Sequence, residues 1–286
     1  MTCIMRLKLL YLIGFSLLQT WTATGQNTHG TRQLADQFYT QQNYEQALFT
    51  YQRVAFFSRP KTNPEVLYRI ASCFYSTGDF TRALEYYDHA YFAETNPVLK
   101  TEYLFQKVVT YLETRNYHFA LMELLGQEFE PNSPEHFRKE LLLGASYFGL
   151  EQYEQAGNHL AEAIPIEHIE ARDSINQLFS NQKMFKSPNP KAALVLSAIT
   201  PGLGQFYARD IAGGINSFLL TGTLIGVYAY LTTRLHPIDA ILTILPWFQR
   251  YYQGGFDHAE RAAESERERR RNKILHQTLE IISATD

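Results

Sequence analysis

Acid–base catalysis and metal binding need His, Cys, Asp or Glu side chains brought together at definite spacings. The densest such group in this chain is Glu167, His168 and Glu170. On a helix only Glu167 and Glu170 approach one face, and no third ligand is at hand, so a solvent-facing capping helix accounts for them better. His136, His159 and Asp239 stand isolated along the sequence. No His-Glu-x-x-His pair, Cys-x-x-Cys pair or Gly-x-Ser-x-Gly elbow occurs. Gly202-Leu203-Gly204 lacks the third glycine of a dinucleotide fingerprint and lies in an apolar stretch. Catalytic residues, metal ligands and cofactors are therefore expected to be none, and the chain is not read as an enzyme.

Charge and composition narrow the partners. The 286 residues carry 26 Lys+Arg against 29 Asp+Glu, a net charge of −3. Such a balance excludes a strongly basic nucleic-acid binder, and no small-molecule substrate is evident. With 19 Tyr and 19 Phe the chain is too aromatic to stay disordered. Two cysteines, Cys3 and Cys73, exclude a disulfide scaffold.

The elements that must position any binding residues begin after an address. Arg6 and Lys8 precede an apolar run, Leu9 to Leu18, followed by Ala23-Thr24-Gly25 and Gln26. This is the pattern of a secretory signal peptide over residues 1–25, cut before Gln26. The run is too short to span a bilayer, which takes about 20 residues. An N-terminal buried helix or a retained anchor is the alternative.

Self-similarity organises the next segment. Ala47, Ala83, Ala120 and Ala156 recur at steps of 36, 37 and 36 residues. Three residues before each stands Tyr44, Phe80, Tyr117 or Tyr153, and nine before each stands Phe38, Phe74, Tyr111 or Tyr147. Small or apolar residues, Ala35, Ala71, Val108 and Gly144, hold the preceding helix. Asn63-Pro64, Asn96-Pro97 and Pro131-Asn132-Ser133-Pro134 fall at the junctions, where proline ends one helix and can begin the next. The pattern resembles the tetratricopeptide repeat over residues 28–164, which implies a right-handed solenoid of helix pairs. Four repeats are assigned to residues 26–165, with a capping helix and linker over 166–190 that places Ile169, Ile175, Leu178 and Phe179 on one side.

In that register the concave surface takes Arg32, Asp36 and Tyr39; Tyr68, Ser72 and Tyr75; Phe105, Val109 and Leu112; and Leu141, Ala145 and Phe148. Polar aromatics lead into an apolar floor, which suits an extended or helical peptide with apolar anchors. The apolar positions of the last two repeats have a plainer alternative, packing on the next helix.

Beyond Ser187-Pro188-Asn189-Pro190 the composition changes. Between Ser187 and Phe256 only Lys191, Arg209, Asp210, Arg234, Asp239 and Arg250 are charged. Ile211–Leu231 is long enough to cross a bilayer, while Ala192–Tyr207 and Pro237–Phe248 are shorter spans or re-entrant hairpins. Three buried helices of a soluble domain are the alternative. The run Pro201-Gly202-Leu203-Gly204-Gln205-Phe206-Tyr207 with Arg209 and Gly213-Gly214 is similar to a bacterial membrane domain of unknown function, related to the two-helix transmembrane domain family. That resemblance implies a membrane domain over residues 191–256, with two or three hydrophobic helices, and no catalytic activity.

Residues 257–286 form a charged C-terminal helix whose run from Arg267 to Arg271 reads as a solvated face, since glutamates interleave with the arginines, while Ile274, Leu275, Leu279 and Ile282 give it an apolar face. Arg261, Arg267, Arg269, Arg270, Arg271 and Lys273 against the lone Arg234 favour three crossings, with the tail cytoplasmic and opposite the repeats. The whole reads as an all-α protein: a tetratricopeptide-type solenoid, a small transmembrane domain and an amphipathic C-terminal helix. Its expected role is an extracytoplasmic protein–protein interaction scaffold anchored in a bacterial membrane, the inner one, with a periplasmic repeat domain. The alternative is a transport or assembly component whose membrane helices are the working part.

Overall fold

The computed structural model describes residues 28–58 and 63–285, so the expected signal peptide lies outside it. Among the described residues every regular element is a helix. The chain divides into two compact units, residues 1–128 and 129–286.

The first unit holds three helix hairpins: α1 (Thr28–Thr40) with α2 (Tyr44–Phe57), α3 (Pro64–Ser76) with α4 (Phe80–Ala93), and α5 (Pro97–Glu113) with α6 (Tyr117–Leu125). The second opens with a fourth, α7 (Pro134–Gly149) with α8 (Tyr153–Glu162). Each hairpin closes through one left-handed residue, Gln42, Gly78, Arg115 or Glu151, at φ 58–81°. The amide after it then reaches back to an aromatic carbonyl: Asn43 to Phe38, Asp79 to Phe74, Asn116 to Tyr111 and Gln152 to Tyr147. These bonds satisfy carbonyls that a helix end leaves orphaned. The side chains of Asn43, Asn63, Asp79, Asn96 and Ser133 accept backbone amides at the next helix starts, three of them followed by proline at the first helical position.

The repeating small residues sit where the helices touch. Ala35, Ala47, Ala71, Ala83, Val108, Ala120 and Ala156 are all 0% exposed. A Cβ on Gly144 would lie 2.5 Å from Leu160 Cγ, so only glycine allows that approach without displacing the leucine. Tyr51, Ile70, Phe74 and Tyr87 fill the first core around them.

One buried cation ties three helices of the first unit. Lys107 on α5 places Nζ 2.5 Å from Asp88 on α4 and donates to Glu123 on α6 at 2.7 Å. Burial alone would lower its pKa, but the two carboxylates outweigh it and hold the ammonium above the usual lysine value.

In the second unit, α9 (Ile169–Ser180) and α10 (Gln182–Lys186) cover the fourth hairpin. Ile175 and Phe179 are buried there as expected, while Ile169 is 63% exposed. The rest comprises α11 (Pro190–Ile199), α12 (Leu203–Tyr207), α13 (Ile211–Leu231) and α14 (Pro237–Ser283). At 47 residues α14 is one unbroken helix, about 70 Å long at 1.5 Å per residue, so the third apolar stretch and the charged tail are one element.

Two further expectations about that tail are corrected. The charge run is not solvated throughout, since the Arg271 side chain is only 14% exposed, and the expected apolar face has a partner: Ile274 and Ile282 join Leu160, Ile164, Ile175 and Phe185 in one core. Arg271 donates to Phe185 O and Glu151, and its guanidinium lies 5.5 Å from the Tyr153 ring centre. Nor can the tail lie opposite the fourth repeat. Segments that share a core share a side of any bilayer, so the number of crossings between them is even. Three crossings are excluded on those grounds.

Lys107→Ala leaves Asp88 and Glu123 facing each other with no cation between them. Both keep some contact with water, so the expected loss is about 1–3 kcal/mol in urea unfolding. Adding Asp88→Asn and Glu123→Gln should recover part of it. An unchanged midpoint for Lys107→Ala would show that the three helices do not depend on this tie.

Candidate functional site

The expected concave positions of the first two repeats come together around one hydroxyl. Tyr39, Tyr68 and Tyr75 pack on the core that contains Tyr87, and Ser72 lies with its Oγ 3.4 Å from Tyr87 OH. Burial chiefly, with the neighbouring tyrosines adding to it, pushes the Tyr87 phenol well above its ordinary range. The surface is already satisfied internally. Arg32 pairs with Glu65 at 2.5 Å, Asp36 accepts from Tyr51 at 2.5 Å, and Arg69 stacks 4.8 Å over Tyr39. Tyr68 stacks on Tyr103 with ring centres 4.6 Å apart. Tyr75 meets Phe80 edge-on.

Farther along, the expected groove residues divide. Val109 and Leu112 are half-buried on α5, but Phe105 is 1% exposed and belongs to the core. In the second unit Leu141, Ala145 and Phe148 are half-buried, and Phe148 packs on Tyr153, Phe179 and Phe185. The bare aromatics lie instead on the second helices: Phe49, Phe56, Phe92 and Phe119 are 54–81% exposed. The register used for the first helices gave no sign of them.

His159 is not isolated, contrary to the sequence reading. Its Nδ1 lies 2.6 Å from Glu140 on α7, and Glu162 completes a group within 4.8 Å. Burial raises the Glu140 pKa, yet the His159 bond wins and holds the carboxyl below its usual value. Glu140 precedes Gly144 by four residues and His159 follows Ala156 by three, so both occupy the faces where α7 meets α8. The pair satisfies itself and works as a polar tie between the two helices.

The proline–glycine motif builds the second site. The carbonyl of Ala198 accepts from Tyr252 OH on α14. Pro201 and Gly202 then reverse the chain, with Gly202 at φ 95° and a Cβ there 2.5 Å from Gly214 O. Gly204 is closer still, since its Cβ would meet Ala193 O at 1.9 Å. Gln205, 1% exposed, accepts from Ser197 Oγ at 2.7 Å and donates to Gly255 O at 2.6 Å. Ser197 Oγ in turn accepts from Gly204 N at 2.9 Å. Tyr207 OH accepts from Asn189 N at 3.0 Å. Arg209, at φ 65°, is exposed and forms the left-handed turn into α13, where Asp210 accepts from Gly213 N at 2.9 Å.

Beside the clasp Asn216, Ser217, Arg250 and His258 line a polar groove against Gln205 and Gly255, whereas the remaining faces of α13 and of the opening turns of α14 are largely apolar. In α13 an 18-residue window of mean hydropathy 1.4 is only 11% buried, and by length and composition this helix is able to cross a membrane. Ile215, Phe218, Leu219 and Ile225 are bare on it, as are Ile241, Leu242, Leu245 and Trp247 on the opening turns of α14. Asp239 lies in the first turn of α14 and is exposed.

Fold and geometry together define an all-α, tetratricopeptide-like repeat protein carrying an apolar helical hairpin. No protein-family model matches the chain, and no curated protein matches it. Among solved structures it is similar to "MamA RS-1 ArsTM double mutant", at 22% identity and a TM-score of 0.45, over 60% of this chain and 91% of that one.

Gly204→Ala must displace the α11 backbone at Ala193 and is expected to cost about 1–3 kcal/mol. Gly222→Ala, whose Cβ meets nothing within 4 Å, is the control and should be neutral or stabilising. Equal thermal midpoints for the two variants in detergent would contradict the close approach.

Proposed function

We propose that the chain is a membrane-anchored interaction scaffold whose repeats hold a protein or peptide and whose α13–α14 hairpin holds the membrane. The observation that carries this reading is the pairing of a helical-repeat surface with a bare, 21-residue apolar helix in one chain. Helix-hairpin arrays commonly present an extended surface to partners. The half-buried tyrosines Tyr39, Tyr68 and Tyr75 offer apolar area with hydroxyl handles and little rotamer entropy to lose.

In this reading α13 and the first part of α14 cross the bilayer, and Thr232–His236 is the far turn. The α11–α12 segment dips in and returns without crossing. Backbone that leaves regular helix at membrane depth needs protein partners, and the Ser197–Gln205–Gly255 network supplies them. The N-terminal export pattern puts the repeats, and with them the tail, on the extracytoplasmic side of a bacterial inner membrane. The Lys/Arg bias opposes that orientation, but the first apolar segment usually dominates it.

A photo-crosslinking residue at Tyr75 in the full chain should give a protein adduct in cells, while one at Phe92 on the opposite helix set should not. Adducts from Phe92 alone would move the binding surface to the second helices. None from either would sink the scaffold reading. Orientation is checked with Ser283→Cys in a Cys73→Ser background. That thiol should react with a membrane-impermeant reagent in intact spheroplasts. Reaction only after the membrane is opened would place repeats and tail in the cytoplasm.

A further inference from the structure

Where the chain enters α13, unpaired cations gather on one surface. Arg209, in the turn before Ile211, faces Arg261, Ser265 and Arg269 of α14 across a groove of about 560 Å³. A second groove of about 840 Å³ shares Arg209 and adds Arg270 and Lys273. Among the described residues Arg209, Arg261 and Lys273 form no ion pair and are exposed. The acids in the first groove are engaged. Asp210 caps Gly213 and has His258 at 3.5 Å, while Glu266 is held by Arg269 and Arg270 at 2.8 and 2.9 Å. Burial raises the Glu266 pKa but the two arginines outweigh it, so this carboxyl stays ionised below its usual range. The second groove adds only Glu280. The surface keeps a positive surplus.

Depth identifies what meets it. A Cβ on Gly213, in the first turn of α13, would lie 2.9 Å from the His258 ring, which sets the level of α14 against the start of the apolar helix. Arg261 lies three residues beyond, about 4.5 Å farther from the apolar hairpin. Helical side chains lean toward the helix N-terminus, and the N-terminus of α14 is its apolar end. The arginine heads therefore return to the level where apolar surface gives way to polar surface. In a bilayer that level is the headgroup layer, and its fixed anions are phosphodiesters.

We propose that Arg209 and Arg261, with Ser265 and Arg269, bind the phosphate headgroup of an anionic phospholipid. This rests on the membrane reading above. Arginine's planar fork suits a phosphate bidentately, and juxtamembrane basic clusters gain from anionic lipid. It also gives the basic residues of the tail a role when they lie on the side that orientation rules leave unexplained.

The test uses the full chain in a neutral detergent. Added phosphatidylglycerol should raise the thermal midpoint by about 3–5 °C, while phosphatidylcholine or inorganic phosphate should leave it unchanged. In Arg209→Asn/Arg261→Gln the shift should vanish while the lipid-free midpoint holds; asparagine tolerates the left-handed backbone at position 209. An equal shift with phosphatidylcholine, an equal shift with phosphate, no shift at all, or a full shift in the double variant would each overturn the site. Alkaline carbonate washing separates this from the anchor itself. Release of the chain from membranes sinks the anchor, whereas retention without a phosphatidylglycerol shift sinks only the headgroup site.

Discussion

Gln205 is the constraint on which the second half of the molecule depends. A buried primary amide left without partners costs several kcal/mol, so it occurs only where both ends are met. Here Oε1 accepts from Ser197 on α11 and Nε2 donates to Gly255 on α14. One side chain thus fixes three helices in register, and the glycines follow from it. Gly204 must lack a Cβ so that α12 can come against Ala193, and Gly202 must take a left-handed turn beneath Gly214. The motif is a device for turning a chain sharply between apolar helices while the buried Ser197 hydroxyl, the Gln205 amide and the Gly204 N–H all find partners.

The same closing geometry serves both halves. Arg209 repeats what Gln42, Gly78, Arg115 and Glu151 do, a single left-handed residue whose successor bonds back to the carbonyl five residues earlier. Asp210 bonds Gln205 O as Asp79 bonds Phe74 O. The repeats and the apolar segment therefore share one grammar of helix, left-handed turn and helix. They differ in what covers the outer face. In the repeats that face carries charge and scattered aromatics; in α13 it carries isoleucine, leucine and phenylalanine.

Much of the fold was legible because its rules are local and recurrent. Alanine at four phased positions, aromatics at fixed offsets and Asn-Pro at junctions specify helix pairs without any knowledge of distant contacts. The long apolar helix was legible by length. What escaped was set by contacts between distant segments. Ile274 and Ile282 read as an amphipathic stripe, but nothing in the stripe names Ile164 and Ile175 as the surface it covers. The Glu140–His159 and Lys107–Asp88–Glu123 ties escaped for the same reason, since each joins residues 16–19 apart on neighbouring helices. In the groove, Phe105 was misplaced because a helix position says which way a side chain faces and not how deeply the next helix covers it.

Continuity of α14 joins the two kinds of surface mechanically. Its opening turns are bare and apolar, its middle closes the clasp at Tyr252 and Gly255, and its last turns are buried against α8, α9 and α10. Pro246 does not end it, because the residues around it continue as helix on both sides. An unbroken helix transmits displacement along its axis far better than a loop, which would absorb it. The polar ties at its far end, Arg271 to Glu151 and to Phe185 O, resist sliding as well as separation. The fourth repeat is therefore held to the apolar hairpin by a rigid strut and not by a linker. Whatever orients the hairpin orients that repeat with it.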